Sequence, residues 1–448
     1  MIKKLKTLLR EKNMSSLMGN VTVAAMGLLS FMLLSRQLTK VDFGHFILFM
    51  TLSSFVDLLR FGLTQNALIR LLTVADQQGA KRIMGSGFAI NIIVLIILSV
   101  VLWGLYGVLS FFEVSIGLGY LLFLKWYPIL GVVNLGWNNA MALFQAEQRF
   151  MRMMYVRLST VGTFNLFLGL NLLFFSFPLE TILLFFIGFN GLASIISALK
   201  RWDGLQDLPN AERATAKDIV QFGKYAMGTL VGSSLLKSAD TFIIGMSPFM
   251  GASAIAIYAI PLKITDLLGI PLRSFSMTAY PKMSKMYMDK AFGKLRNTFY
   301  EYVGTITVLF IPVIVGCVLL SSELIIVLGG AGYTDELPVL TNIFMIFSVY
   351  LLLLPLDRFT GVLLDSINKP NLNLKKVIFM ASANILVDAI AVFWFQSLLV
   401  VALGTVLFTL LGIVLGLYLL KREIGVEGHK ILPQSYRFLK NFSAQWQR

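Results

Sequence analysis

Twelve long apolar stretches alternate with short polar loops along this sequence, and they constrain the fold more than any other feature. Each stretch has about 20 or more mostly apolar residues, the length that a helix needs to cross the hydrocarbon core of a bilayer. We therefore predict an all-α polytopic membrane protein with twelve transmembrane helices. The predicted spans are residues 14–35, 43–69, 83–110, 115–143, 154–176, 179–199, 219–246, 252–279, 299–320, 336–364, 371–395 and 398–420.

The Lys and Arg residues outside the spans are distributed unevenly between the two sides of the predicted membrane. Of the 38 basic residues, 29 lie in the terminal segments, in the loops on the same side or in the first turns of the spans next to these loops, whereas the opposite loops contain only Arg36 and Lys40. The remaining seven lie elsewhere within the spans. Because cytoplasmic loops carry an excess of Lys and Arg, both termini are expected in the cytoplasm.

The composition excludes several classes of function. A net charge of +15 in a soluble domain would indicate a nucleic-acid partner, but here the basic residues are spread over seven cytoplasmic segments. They indicate topology and contact with anionic membrane lipids instead. The sequence has no phosphate-binding loop of an ATPase and no Cys/His cluster, and its only two histidines, His45 and His429, are far apart. We therefore expect no cofactor and no metal centre, and we expect any energy for transport to come from an ion gradient or the membrane potential.

The longest cytoplasmic loop, about Lys200 to Asp218, divides the predicted spans into two sets of six. Many secondary transporters are built from two such halves. In the tail, Phe438, Phe442 and Trp446 have the spacing of one helix face beside basic residues, which is typical of a helix on the inner leaflet; a disordered tail is the alternative. The predicted organisation is an N-terminal six-helix bundle (1–200), a cytoplasmic linker (201–218), a C-terminal six-helix bundle (219–420) and a basic cytoplasmic tail (421–448).

Ionisable residues within the spans are the main indication of function. A charge at the bilayer centre costs on the order of 3 kcal/mol, so most of these side chains are expected to line a water-filled interior. Lys224 and Arg358 lie close enough to the cytoplasmic face to extend towards it. The basic residues in the spans are Arg60, Lys125, Lys224, Lys237, Lys263, Arg273 and Arg358, and the acidic residues are Asp57, Asp240, Asp266, Asp357 and Asp388.

Several of these charges have opposite charges as neighbours on the same helix. Two interpretations stay open: each pair neutralises itself and holds its helix in the bundle, or the pairs line a cavity that binds an anion or exchanges a proton. The pairs with i, i+3 spacing are Asp57/Arg60, Lys237/Asp240 and Lys263/Asp266.

The seventh span and two isolated charges extend this pattern. Asp388 has no partner on its own helix and is a candidate proton or sodium site, whereas Lys125 either faces the interior or has a partner on another helix. A polar stripe through an apolar helix indicates a wet lumen. Such a stripe is formed in the seventh span by Thr229, Ser233, Lys237 and Asp240.

Several short motifs occur in order along most of the chain. The first motif is Leu34-Ser35-Arg36-Gln37-Leu38-Thr39-Lys40-Val41-Asp42-Phe43-Gly44-His45-Phe46. The others are Gly62-Leu63, Ala67-Leu68-Ile69-Arg70, Tyr258 to Lys263, Pro281-Lys282-Met283-Ser284-Lys285, Leu328 to Tyr333 and Asn371-Leu372-Asn373-Leu374. Together they resemble the motifs of bacterial oligosaccharide flippases, which belong to the multidrug/oligosaccharidyl-lipid/polysaccharide exporter superfamily and typically have twelve spans.

The resemblance implies two six-helix bundles around a central cationic cavity, in the inner (cytoplasmic) membrane of a bacterium. It implies a transporter rather than an enzyme, one that moves a polyprenyl-pyrophosphate-linked oligosaccharide from the inner to the outer leaflet by alternating access. Ion coupling and contact with the polysaccharide polymerase machinery are further expectations. A buried pyrophosphate requires cations, which agrees with the charges found within the spans.

The residues expected to act follow from the resemblance and from the charges in the spans. Arg36 and Lys263 match, by position, basic residues that face the cavity of the lipid II flippases in the same superfamily, and Arg60 matches approximately. The predicted substrate-binding residues are Arg36, Arg60, Lys125, Lys237, Lys263 and Arg273, and the candidates for a coupling ion are Asp57, Asp240, Asp266 and Asp388. Candidates for contact with the sugar are Asn66, Asn134, Asn138 and Asn139.

Two other functions fit the same composition. A cation-coupled multidrug antiporter of this superfamily would favour cationic substrates and an acidic lumen, whereas the charges predicted deep in these spans are mostly basic. A membrane glycan polymerase would carry catalytic groups on a long outside loop, and no predicted outside loop here is long.

Overall fold

The structure is a computed structural model that describes residues 12–72, 75–114, 116–431 and 433, and its regular elements in these ranges are helices. The first part contains α1 (Lys12–Gln37), α2 (Lys40–Leu72), α3 (Gln77–Phe111), α4 (Leu118–Val133), α5 (Leu135–Ala146), α6 (Phe150–Arg157), α7 (Thr163–Leu170), α8 (Leu179–Leu199) and α9 (Arg213–Gly245). The second part contains α10 (Gly251–Leu268), α11 (Ile270–Met288), α12 (Phe292–Leu319), α13 (Ser321–Gly329), α14 (Leu337–Ser366), α15 (Pro370–Phe393) and α16 (Leu398–Ile424). Short 3-10 helices lie at Leu205–Asn210, Ala331–Glu336 and Gly428–Lys430.

Among the described residues, nine helical stretches are long and apolar enough to cross a membrane, or ten if the bent pair α4 and α5 is one span. The other two predicted spans correspond to α1 and α9. The side chains of residues 12–20 in α1, and those of residues 225, 226 and 229 in α9, lie outside the described set. The total of twelve transmembrane helices therefore stays a prediction.

The outward surface of the helices is apolar, as a membrane requires. On α3, large side chains along one side are more than half exposed: Ile93, Ile96, Ile97, Val100 and Val101. Soluble monomers rarely expose contiguous apolar surface of this extent, whereas lipid is a solvent that fits it. The chain is a multi-pass membrane protein.

The fourth predicted span is broken rather than continuous, because α4 and α5 meet at Asn134 with a bend of 51°. The backbone groups freed by the bend are satisfied by one side chain on α8. The Ser194 hydroxyl accepts a hydrogen bond from the Trp137 N–H at 2.9 Å and donates one to the Val133 carbonyl. A broken helix is tolerated at membrane depth where side chains take up its freed groups in this way.

The fifth predicted span contains two π-helical turns, Leu158–Gly162 and Asn171–Phe175, on either side of α7. π turns are rare and occur often at functional sites. The second turn ends at Ser176, whose φ of +60° lies in the left-handed region and terminates the helix.

The contacts divide the chain into two compact units, one up to Val231 and one from Gly232 onward. The division falls inside α9. Within the second unit, α14 packs against α16, α12 and α10, and its buried side chains form the centre of the apolar core.

The segment expected to be a cytoplasmic linker is packed against the first unit as far as Glu212. Its 3-10 helix lies under α3, and the Asn139 amide donates to the Asp203 carbonyl at 2.8 Å. The Ser86 hydroxyl accepts from the Glu212 N–H at 2.9 Å. The tail aromatic residues Phe438, Phe442 and Trp446 lie outside the described residues.

Candidate functional site

A cavity of about 150 Å³ within the second unit brings several predicted residues together. Its described charged lining is Lys237 from α9, Arg273 from α11 and Arg358 from α14, with Asp240 from α9 and Asp266 from α10. The cations are exposed side chains, and Asp240 is buried. Basic groups therefore outnumber acidic ones around this cavity.

Local structure explains how these charges reach one cavity. Helices α10 and α11 meet at Gly269, so Asp266 lies in the last turn of α10 and Arg273 in the first turn of α11. The polar stripe predicted on α9 is partly visible, because Ser233 and Lys237 are both exposed. The side chain of Thr229, the first member of that stripe, lies outside the described residues.

Asp240 takes part in a buried polar cluster instead of pairing with Lys237. Its carboxylate accepts a hydrogen bond from the Tyr258 hydroxyl at 2.5 Å and one from the Asn384 amide at 3.1 Å. Among the described residues, no ion pair joins it to Lys237. Of the two interpretations left open for this pair, mutual neutralisation is therefore wrong, because the Asp240 carboxylate binds Tyr258 on α10 and Asn384 on α15 instead.

The same cluster contains a second carboxylate, that of Asp388, which is fully buried and lies beside Asp240. Neither of its oxygens has a hydrogen-bond partner among the described residues, and the same is true of the Asn384 side-chain oxygen and the Thr405 hydroxyl. Four oxygens without partners in a membrane interior are costly. Two adjacent buried carboxylates repel each other when both are charged, so this arrangement favours either a proton on one of them or a cation bound between them.

A second polar cluster lies in the first unit around Arg60. Its guanidinium forms an ion pair with Asp57 at 2.7 Å and donates to the Gly131 carbonyl at 2.7 Å. Asp57 also accepts from the Tyr127 hydroxyl at 2.9 Å and from the Asn134 amide at 3.0 Å. The predicted pair thus forms, but Arg60 is fully buried and does not line a water-filled interior as expected, because both terminal nitrogens of its guanidinium bind protein acceptors.

The other predicted cations are placed elsewhere. Lys125 forms an ion pair of 2.7 Å with Glu180 on α8, with both side chains about half exposed, so the interpretation of a partner on another helix is confirmed. Arg36 is exposed in the last turn of α1. Lys263 is half-buried on α10 and is absent from the described lining of the 150 Å³ cavity.

One buried cation was not expected from the sequence. Lys376, counted with the cytoplasmic loops, is only 3% exposed and forms an ion pair of 2.6 Å with Asp357. Its ammonium also donates to the Asp357 carbonyl at 2.9 Å and to the Thr360 hydroxyl at 2.8 Å. The available signal was Pro370, which is favoured at the first position of a helix and thereby places Lys376 in the second turn of α15.

The sequence matches the model of a known protein family. The model of a family described as "Polysaccharide biosynthesis protein" matches residues 33–338, more than half of the chain. A comparison with curated protein sequences gives no significant match.

Solved structures share the fold at low sequence identity. An inward-facing multidrug resistance MATE family transporter of the MOP superfamily is 16% identical with a TM-score of 0.73, over 90% of this chain and 94% of that one. The lipid II flippase MurJ, in an inward closed conformation, is 15% identical with a TM-score of 0.72, over 94% of this chain and 90% of that one. A MOP superfamily transporter from Pyrococcus furiosus is 15% identical with a TM-score of 0.62, over 94% and 95%. The chain therefore belongs to this family of polysaccharide biosynthesis proteins and has the fold of the MOP superfamily, as its resemblance to the oligosaccharide flippases predicts.

Proposed function

We propose that this protein is a flippase that moves polyprenyl-pyrophosphate-linked oligosaccharide repeat units from the cytoplasmic to the outer leaflet, for surface polysaccharide biosynthesis. The observation that carries the proposal is the arrangement of Lys237, Arg273 and Arg358 around one cavity inside a membrane-spanning unit. Membership of a polysaccharide biosynthesis family supports it. The proposal includes twelve transmembrane helices in two six-helix bundles, a central cavity, cytoplasmic termini and an inner-membrane location.

The cavity chemistry fits a pyrophosphate. A desolvated pyrophosphate needs several cations, and the planar guanidinium of arginine matches phosphate oxygens with two parallel hydrogen bonds. Arg273 and Arg358 provide two such groups, and Lys237 adds a point charge. Asp240 is engaged by Tyr258 and Asn384, which weakens its competition for these cations.

The cluster of Asp240, Asn384, Asp388 and Thr405 is the proposed site of a coupling cation. Four partnerless oxygens on one buried cluster offer ligands of the kind that hard cations prefer. A proton shared by the two carboxylates is the other form of coupling that this cluster supports. Asp57, in contrast, is held by Arg60, Tyr127 and Asn134, which leaves it poorly suited to release and bind an ion.

The alternative is a multidrug antiporter, since MATE transporters share the fold. Likeness of fold does not determine the substrate. A cavity that binds cationic drugs needs an excess of negative charge, and the described lining of this one has an excess of basic side chains. The antiporter is therefore less well supported than the flippase, and the glycan export experiment described next distinguishes the two functions.

The export experiment uses deletion cells and a probe of lipid-linked glycan in the outer leaflet. Cells complemented with Lys237→Gln/Arg273→Gln are expected to lose the surface signal and to accumulate the lipid-linked unit inside. Each lost charge-assisted hydrogen bond should weaken anion binding by about 1.5–3 kcal/mol, roughly tenfold or more. Lys375→Gln, which removes an exposed cation outside the cavity, is the matched control and should export normally.

Two results would contradict the proposal. One is full glycan export by the double variant. The other is unchanged surface glycan in the deletion cells together with altered resistance to cationic drugs, which would favour the antiporter.

Coupling is tested with the purified protein in liposomes, using fluorescently labelled lipid-linked glycan. Transport should accelerate under a sodium gradient or under a proton gradient, and the gradient that acts identifies the ion. Asp388→Asn should transport at the same rate with and without that gradient. A response to the gradient that persists in Asp388→Asn would exclude this cluster as the coupling site.

A further inference from the structure

The first unit contains a larger cavity, of about 340 Å³, that has no role in the binding of pyrophosphate proposed above. It lies between α2, α5 and α6, near the turn that joins α5 to α6. Its volume is at the lower end of the range of about 300–1,000 Å³ that is usual for small-molecule sites. On the predicted topology this turn is cytoplasmic, so the cavity is on the side from which a substrate would be loaded.

The wall of this cavity is polar for a membrane-embedded unit. It includes the amides of Gln65, Asn138 and Gln145 and the indole ring of Trp137. The π turn at Leu158–Gly162 follows directly after α6 and contributes Thr160. π turns are common at functional sites, so this turn, together with the polar wall, indicates a binding site.

Some of these groups have unused hydrogen-bonding capacity. The Gln65 amide nitrogen donates to the Gln145 oxygen at 3.3 Å, which leaves the Gln65 oxygen and the Gln145 amide group for a ligand. Among the described residues, the Asn138 side chain has no hydrogen-bond partner. The Trp137 indole N–H donates to Asn134 at 3.1 Å, which orients the ring.

Arg157 is the one charged side chain in the described lining. It is half-buried, and no hydrogen bond or ion pair joins its guanidinium to another described residue. An unpaired cation in such a setting is costly, and a cavity is where a ligand would neutralise it. A guanidinium can form two parallel, charge-assisted hydrogen bonds with a carboxylate.

The occupant can be inferred from this set of groups. Amides and an aromatic ring suit a sugar, because the amides bind its hydroxyls and the ring covers its apolar face. A single guanidinium matches a single carboxylate, whereas a pyrophosphate with two or more charges would need further cations. We infer that this cavity is a subsite for an acidic sugar of the repeat unit, with Arg157 holding the sugar carboxylate; this inference rests on the proposed function.

The test measures sugar binding to the full-length protein in lipid nanodiscs by saturation-transfer NMR. The probes are methyl glucuronide, methyl glucoside and glucose 1-phosphate. Wild-type protein should bind methyl glucuronide at least about tenfold more tightly than methyl glucoside, because only the former offers the guanidinium a carboxylate. Arg157→Gln should lose that difference, and Arg157→Lys should keep part of it because the charge remains.

The matched control is Arg149→Gln, since Arg149 pairs with Glu147 at the exposed surface, outside the cavity. It should bind methyl glucuronide as the wild type does. Thermal stability should not fall in Arg157→Gln, because the variant removes no hydrogen bond or ion pair between described residues and also removes an unpaired charge.

Three results would overturn the inference: no binding of methyl glucuronide by the wild type, equal binding by Arg157→Gln, or tighter binding of glucose 1-phosphate than of methyl glucuronide. The export assay separates this failure from a failure of the proposed function. Protein-dependent export without glucuronide binding rejects the subsite alone, whereas no protein-dependent export rejects the flippase.

Discussion

The ion pair between Lys376 and Asp357 gives the sharpest prediction for stability. It joins α14 to α15, with the lysine side chain 3% exposed and the aspartate side chain 18% exposed. The ammonium has three acceptors at 2.6–2.9 Å from two residues. Lys376→Met keeps most of the length of the side chain and removes all three contacts, leaving a carboxylate without its cation.

The magnitude follows from this burial. Removing one partner of a buried ion pair costs about 3–5 kcal/mol, because the remaining charge is uncompensated. Asp357 keeps some access to water, so the expected loss is near the lower end, about 3 kcal/mol. The double variant Lys376→Met/Asp357→Asn removes the stranded charge as well and should recover about half of that loss.

The assay is unfolding of the purified protein in mixed micelles with increasing denaturing detergent. Lys375→Met is the control, because Lys375 is the next residue on the same helix and is exposed. It should change the free energy of unfolding by less than about 0.5 kcal/mol. The reasoning would be refuted if Lys376→Met destabilised the protein no more than Lys375→Met, or if the double variant were less stable than the single one.

Three further predictions concern stability, each measured by thermal unfolding. A methyl group at Gly85 would lie 2.0 Å from the Asp207 carbonyl oxygen, so Gly85→Ala should cost about 1–3 kcal/mol, whereas Gly104→Ala, with open space around it, should not. Glu180→Gln breaks a half-exposed ion pair and should cost less than about 1 kcal/mol. Burial raises the pKa of the Asp203 carboxyl, so its ionisation destabilises the folded state as pH rises above about 4. The melting temperature of Asp203→Asn relative to that of the wild type should therefore increase between about pH 4 and pH 7. A difference that stays constant with pH would contradict this.

Features that depend on local spacing could be predicted from the sequence. The helical stretches follow from apolar runs, and the Asp57/Arg60 pair forms because residues three apart on a helix face each other. The same spacing fails at Lys237/Asp240. There, Asp240 has partners 18 and 144 residues away, and no pattern within a helix indicates which distant side chain will approach.

The positive-inside rule does not predict which basic side chains are buried or half-buried, and two residues show this. Arg157 and Lys376 were counted with the cytoplasmic side because they lie in the first two turns of the predicted spans 154–176 and 371–395. The positive-inside rule counts charges by position along the chain. It contains no information about the direction of a side chain. On α15, Lys375 is exposed and Lys376 is buried. One position along the helix therefore decides whether a cation faces the solvent or an acidic partner.

Asp240 connects the two parts of the proposed mechanism, because it lines the cationic cavity and also belongs to the cluster with Asp388. A cation or proton bound at that cluster would neutralise negative charge beside Lys237 and Arg273. The affinity of the cavity for an anion would then rise, since the Asp240 carboxylate would cancel less of the positive potential of these cations. Coupling between two binding sites is reciprocal, so a bound pyrophosphate must raise the affinity for the cation by the same factor. In the proposed mechanism, this one shared carboxylate would therefore link the binding of substrate and ion within the second unit.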